Sequence, residues 1–198
     1  FMNGSVAKFR TIFTAKTPPV HEKNAELLEW CKKFAEQGLA PRYGKGSSHG
    51  NLSFRAKNGM IITRSGSDLS SINETELVEV TDCDEKKFSV KASGMFEPSS
   101  ESFEHLAIYR SRKEINAVFH GHSNEILLHA KKFGIVETRN EADYGTVENL
   151  NEVIGVLGKN DFVVMKGHGF LCLGKSLSDC GKRALEFQKK AEKMGQQT

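Results

Sequence analysis

His120 and His122 flank a single glycine, and a third histidine, His168, sits in the turn Lys166-Gly167-His168-Gly169. Ile115-Asn116-Ala117-Val118-Phe119 runs straight into the pair and reads as a buried strand. Residues i and i+2 of a strand point to the same face, so two imidazoles separated by the small Gly121 can grip one metal ion. A third imidazole from elsewhere completes three protein ligands and leaves a coordination position open. That is the arrangement of a catalytic zinc rather than a structural one. An HxH pair alone is common by chance. Its weight here comes from Pro98-Ser99-Ser100-Glu101, which precedes an amphipathic run, Ser102 to Arg112, that reads as a helix. Two hydroxyls and a carboxylate at a helix start fit ordinary capping. They equally fit an anion site with a base beside it, because helix N-termini offer unpaired N–H groups to phosphate.

The elements that must position these groups follow from pattern. A helix is expected from about Glu22 to Gln37, stopped by Gly38. A small-residue loop, Gly44 to Asn51, leads into the alternating Leu52-Ser53-Phe54-Arg55, and Asn58-Gly59 signals a hairpin to Met60-Ile61-Ile62-Thr63. A second glycine loop, Ser65-Gly66-Ser67, follows. Further strands are expected at 77–80 and 88–90, at 117–120, and at 162–165 and 170–173 on either side of the His168 turn. Helices are expected from Ser123 to Gly134 and from Ser178 to Met194. Hairpins in the first half exclude a purely parallel sheet. The expected class is α/β, in three layers α/β/α, with a central mixed, largely antiparallel sheet. Residues 20–198 are expected to form a single domain and residues 1–19 an N-terminal arm. In that arm Phe9, Ile12 and Phe13 fall at helical spacing among basic residues, and a docking or disordered segment is the expectation.

Composition excludes several classes. A chain of 198 residues with 38% hydrophobic and 27% charged residues suits one soluble domain. No apolar stretch approaches the length of a membrane span, and no secretory signal is read. A net charge of +3 suits anionic small molecules and is too weak to argue for nucleic acid. Cys31, Cys83, Cys172 and Cys180 match no zinc or redox spacing, so reduced thiols in a cytoplasmic protein are the simplest account.

Five landmarks in order, Gly50-Asn51-Leu52-Ser53, Ile62-Thr63-Arg64-Ser65-Gly66, Pro98-Ser99-Ser100-Glu101, His120-Gly121-His122 and Gly167-His168-Gly169, resemble the class II aldolase/adducin family. The resemblance runs from about Glu22 to Met194. That family includes fuculose-phosphate-type aldolases, epimerases, dehydratases and the non-catalytic adducin head. The resemblance implies one zinc per subunit, or another divalent transition metal, on His120, His122 and His168. It implies Glu101 as the catalytic base and Gly50, Asn51, Ser65, Gly66, Ser99 and Ser100 around a substrate phosphate. Glycine-rich turns make anion-binding concavities from backbone N–H groups, which suits that role. Arg64 stands where the family usually has proline. Tyr144, in Asp143-Tyr144-Gly145-Thr146, is the candidate proton donor, and a tyrosine packed at a helix entry is the other reading of it. The implied activity is lysis of a small phosphorylated ketose by retro-aldol chemistry through a metal-stabilised enediolate, in a homotetramer. Epimerisation, dehydration or decarboxylation on the same metal site, or an adducin-like binding module, are the alternatives.

Overall fold

Val118 and Phe119 show how the sheet is built: neighbours on one strand, both fully buried, they enter different cores. A computed structural model describes residues 8–44 and 46–196. In chain order the elements are β1 (Arg10–Ala15), α1 (Asn24–Glu36), β2 (Arg42–Tyr43), β3 (Ser47–Ser48), β4 (Asn51–Ala56), β5 (Gly59–Thr63), β6 (Leu77–Asp84) and β7 (Ser89–Ser93). Then come α2 (Ser102–Ser111), β8 (Ala117–Gly121), α3 (Asn124–His129), β9 (Val136–Glu137), α4 (Val147–Leu157), β10 (Phe162–Met165), β11 (Gly169–Gly174) and α5 (Leu177–Gly195). Among the described residues one sheet has nine strands, in the order β1-β7-β6-β5-β4-β8-β11-β10-β9. Its β1–β7 and β10–β9 pairs are parallel. The remaining pairs are antiparallel, so the sheet is mixed and largely antiparallel, as expected.

Each face is covered by helices. On one, Leu27 and Phe34 of α1 and Cys180 and Ala184 of α5 join Phe54, Phe119 and Phe170 in a single cluster. Phe34 and Phe119 meet edge to face at 5.3 Å. On the other, Leu106 and Tyr109 of α2 and Leu150 and Val153 of α4 join Ile62, Val118 and Leu171. Removing one such large side chain from water contributes about 1.5–3 kcal/mol, so the period-two pattern of β8 fixes which face is which. The result is three layers with the sheet in the middle.

Besides the short strands β2, β3 and β9 and a 3-10 turn at Glu74–Glu76, which were not expected, three longer elements differ from the sequence reading. Residues 10–15 dock on the sheet as an edge strand along β7, so this part of the arm is not disordered. The rest of the arm before Lys8 lies outside the described residues. Helix α3 ends at His129, and the chain turns on to Gly134 instead of continuing as helix. Helix α4 was not expected. It begins on Thr146, whose hydroxyl accepts the Asn149 N–H at 3.2 Å.

Candidate metal centre and active site

Strand β8 lies between β4 and β11, with His120 opposite Asn51 on one side and Leu171 on the other. The chain leaves the sheet after Gly121, where the His122 N–H donates to Leu39 O at 2.8 Å. His168 comes from the turn joining β10 to β11. The result is three imidazoles with ring centroids 4.8 to 5.0 Å apart. One nitrogen from each lies within 4.8 Å of the others. His120 is 1% exposed, so the alternative of two partly exposed strand-end histidines does not hold for it.

Glu101 enters from the start of α2 and is also buried. Its Oε2 accepts from Asn51 Nδ2 at 2.6 Å and stands 3.2 Å from His120 Nε2. Its Oε1 lies 3.8 Å from His168 Nε2. His120 Nδ1 is 2.9 Å from Phe170 O. A carbonyl only accepts, so Nδ1 carries the ring proton and Nε2 the lone pair. Burial first, and then the neighbouring His168, hold the His120 pKa well below its usual range. Burial, then His120 and His168, do the same to His122. Neutral imidazole is the metal-binding form.

These observations test whether a cation fits. Glu101 Oε2 and His120 Nε2 stand 3.2 Å apart, and His120 Nε2 is also 3.0 Å from His122 Nε2. Glu101 Oε1 and His168 Nδ1 have no hydrogen-bond partner among the described residues. Buried polar atoms without partners are costly, and lone pairs converging from three imidazoles and a carboxylate are what a divalent ion satisfies. The donor set fits a metal. The Phe170 carbonyl, by fixing the His120 tautomer, is the outer support that such ligands need.

Beside this cluster three backbone segments converge. The Ser65 N–H donates to Glu97 O, Ser48 N–H to Ser67 O, and Ser99 N–H to Thr63 O, at 2.9 to 3.1 Å. Ser47 Oγ donates to Gly66 O at 3.0 Å. Gly50 has φ +87, and a Cβ there would lie 2.8 Å from His120 O, so only glycine lets this loop sit against β8. Arg64 also lines the cavity; its Nε pairs with Glu76 Oε1 at 2.7 Å, and its Nη1 donates to Ser65 O of the loop at 2.9 Å.

All the residues singled out in the sequence line one cavity of about 750 Å³. The residues expected around a phosphate, the expected base Glu101, the three histidines and Tyr144 are brought together in it. Tyr144 has its ring centroid 6.2 Å from that of His168. Motif reading did not assign Tyr43 and His49, which also line the cavity. His49 stacks on His122 at 4.5 Å, and Tyr43 lies on His49 at 4.4 Å. The adjacency of His49 to Gly50-Asn51 was the available signal.

Comparison with known proteins agrees with this geometry. The model of the class II aldolase and adducin N-terminal domain matches residues 25–194. The chain belongs to this family. An L-fuculose phosphate aldolase of Methanococcus vannielii is 31% identical over 172 residues, covering 78% of this chain and 85% of that protein. A methylthioribulose-1-phosphate dehydratase of Yersinia enterocolitica is 27% identical over 191 residues, covering 81% of this chain and 86% of that one. A solved L-fuculose 1-phosphate aldolase superposes with a TM-score of 0.71 at 25% identity, covering 91% of this chain and 89% of its own. The family region thus begins after β1 and takes in the whole candidate site.

Proposed function

We propose that this class II aldolase-family protein is a metal-dependent lyase that cleaves a small phosphorylated ketose by retro-aldol chemistry, with zinc as the metal. The observation that carries the reading is the buried meeting of three imidazoles and Glu101 at one end of a serine- and glycine-lined cavity. His120, His122 and His168 would hold the ion. A divalent ion in this position supplies Lewis acidity for negative charge developing on the ketose oxygens, worth several kcal/mol.

The remaining work falls to the chain. In cleavage, the bond between the carbon next to the carbonyl and its neighbour breaks. A proton leaves the neighbour's hydroxyl, and a proton arrives at the carbon left behind. Glu101, held by Asn51 at 2.6 Å, is the group that handles the proton on carbon. Tyr144 is the candidate for the hydroxyl proton. The loops of Gly50, Asn51, Ser65 and Gly66, with Ser99 and Ser100, would hold the phosphate and orient the sugar. Three imidazoles favour zinc, and another divalent transition metal fits the same ligands. A cytoplasmic homotetramer completes the reading, its assembly state readable by sedimentation.

The test is cleavage of ketose phosphates with products identified by NMR. Glu101→Gln should lower kcat on the order of 10²–10⁴-fold while metal content stays at one per chain. An unchanged rate would sink this reading. The similarity to a methylthioribulose-1-phosphate dehydratase favours dehydration as the second reading, and an NMR product with every carbon in one molecule but one water lost would select it, epimerisation showing instead as an inverted centre in an isomer and decarboxylation as loss of carbon dioxide. Protein that takes up no metal, even when zinc is offered, would point to an adducin-like binding module.

A further inference from the structure

Residues 139–146 have no regular secondary structure, yet they carry Tyr144 into the cavity wall. Such a segment stays in one place only if side chains hold it: Glu152 of α4 accepts the Arg139 and Asn140 N–H groups at 2.9 and 3.0 Å at its start, and two further residues act from opposite sides near Tyr144. On the inner side is Glu104 of α2, 1% exposed. Its Oε1 accepts from Asn149 Nδ2 at 2.9 Å, at the start of α4. The Gly145 backbone lies near the same carboxyl, whose buried Oε2 makes no hydrogen bond among the described residues. Gly145 itself lies so close to α2 that a Cβ on it would stand 2.8 Å from Ser100 O. The segment is therefore pressed onto the residue preceding Glu101.

On the outer side is Lys8. Its Nζ lies 4.1 Å from the centre of the Tyr144 ring and 3.8 Å from Asp143 Oδ2. The next residue anchors it, because Phe9 is 5% exposed and packs edge-on against Phe88 and Phe103. Phe103 is on α2, beside Glu104. From Arg10 onward β1 is paired with β7. All of this strand lies ahead of the family region, which begins at residue 25.

We propose that Glu104 and Lys8 are positioning residues that clamp Tyr144 against the site, so that the strand ahead of the family region is part of the active-site wall. Glu104 is the stronger grip. Its hydrogen bond is shielded from water in a low-dielectric interior. The Asp143 contact of Lys8 is exposed at 87% on the aspartate and screened by salt, which leaves the cation over the ring as the outer grip. Burial, and then the charge of Glu101, push the Glu104 pKa up to about 8, so the group acts as a neutral acid. Glutamine reproduces its shape and its acceptor, whereas alanine removes both.

The kinetic part of the test rests on the lyase reading, and the exchange part does not. Amide hydrogen exchange at Tyr144 and Gly145 is measured on full-length, metal-loaded protein for wild type, Lys8→Ala, Glu104→Ala and Glu104→Gln. Glu104→Ala should speed exchange there roughly tenfold, Lys8→Ala by a smaller factor, and Glu104→Gln little, since protection tracks local opening. KM or kcat for a ketose phosphate should worsen in the same order with metal content unchanged. Exchange that stays at the wild-type rate in both alanine variants overturns the clamp. Faster exchange with kcat and KM both unchanged overturns the positioning role. If Glu104→Ala does not fold, Lys8→Ala against Glu104→Gln still decides, because only the first should loosen the segment. A wild type that acts on no ketose phosphate sinks the lyase reading, and the exchange result then judges the clamp alone.

Discussion

Glu104 is a carboxylic acid with no bulk water around it, and its effect on stability has a definite sign. In the unfolded chain it titrates near its ordinary value of 4.5, and in the folded protein near 8. Below the lower value it is protonated in both states and its contribution to folding is complete. As pH rises through that window the unfolded chain ionises and the folded one does not, so unfolding is increasingly favoured. Urea unfolding at pH 5 and pH 8 should show wild type losing on the order of a few kcal/mol more than Glu104→Gln over the interval. Parallel losses would show that the acid is not held neutral. Nothing in the sequence announced this residue. A glutamate in an amphipathic helix reads as solvated, and its burial comes from α4 packing on α2. His120, His122, His168 and Glu101 were legible for the opposite reason, because their chemistry demands particular residue types at particular spacings.

At the scale of elements, β4 is tied to α2 by a polar knot inside the core. Ser53 Oγ is 2.8 Å from His105 Nδ1 and 2.9 Å from Tyr109 OH, all three fully or almost fully buried. This contact ties the strand that carries Asn51 to the helix that begins just after Glu101. Ser53→Ala should cost about 1–3 kcal/mol, because two buried partners lose a hydrogen bond, and urea denaturation reads it. A loss under about 0.5 kcal/mol, the size of an ordinary surface change, would mean the knot is not a tie. Strand β4 was legible from its alternation, and β5, β10 and β11 from short apolar runs bounded by turn residues. Helix α4 was not, although Val147, Leu150, Val153 and Leu157 fall at helical spacing, because its β-branched residues and Gly155 argue against helix by propensity. That the arm docks as a strand was not legible, because Phe9, Ile12 and Phe13 satisfy a helical spacing by coincidence. Paired with β7, it alternates between exposed and partly buried positions along Arg10 to Phe13.

The whole molecule is organised by pairings between distant parts of the chain. Ser53 pairs with Val118, and the β8 strand pairs with β11 some fifty residues later. Pattern reveals strands but not neighbours, so the class of fold was legible and the strand order was not. The proposed metal ligands follow the same rule, since His168 returns to His120 and His122 only when β10 and β11 are in place. Binding should therefore stabilise the entire domain, because an ion that binds only the folded state adds about 4 kcal/mol at a thousand times its Kd. Zinc should raise the melting temperature of chelated wild type and leave His168→Ala unmoved, with metal per chain measured by mass spectrometry. Equal shifts in both would place the ion elsewhere. The arm has a different consequence. Between β1 and α1 the chain crosses the surface through Lys16 and Thr17, both exposed, and Val20, wholly exposed. A protease cut in that tether severs the backbone without undoing the pairing of β1 with β7. The nicked molecule is a two-fragment complex, in which a short peptide occupies the sheet edge as a dissociable subunit of the enzyme it came from.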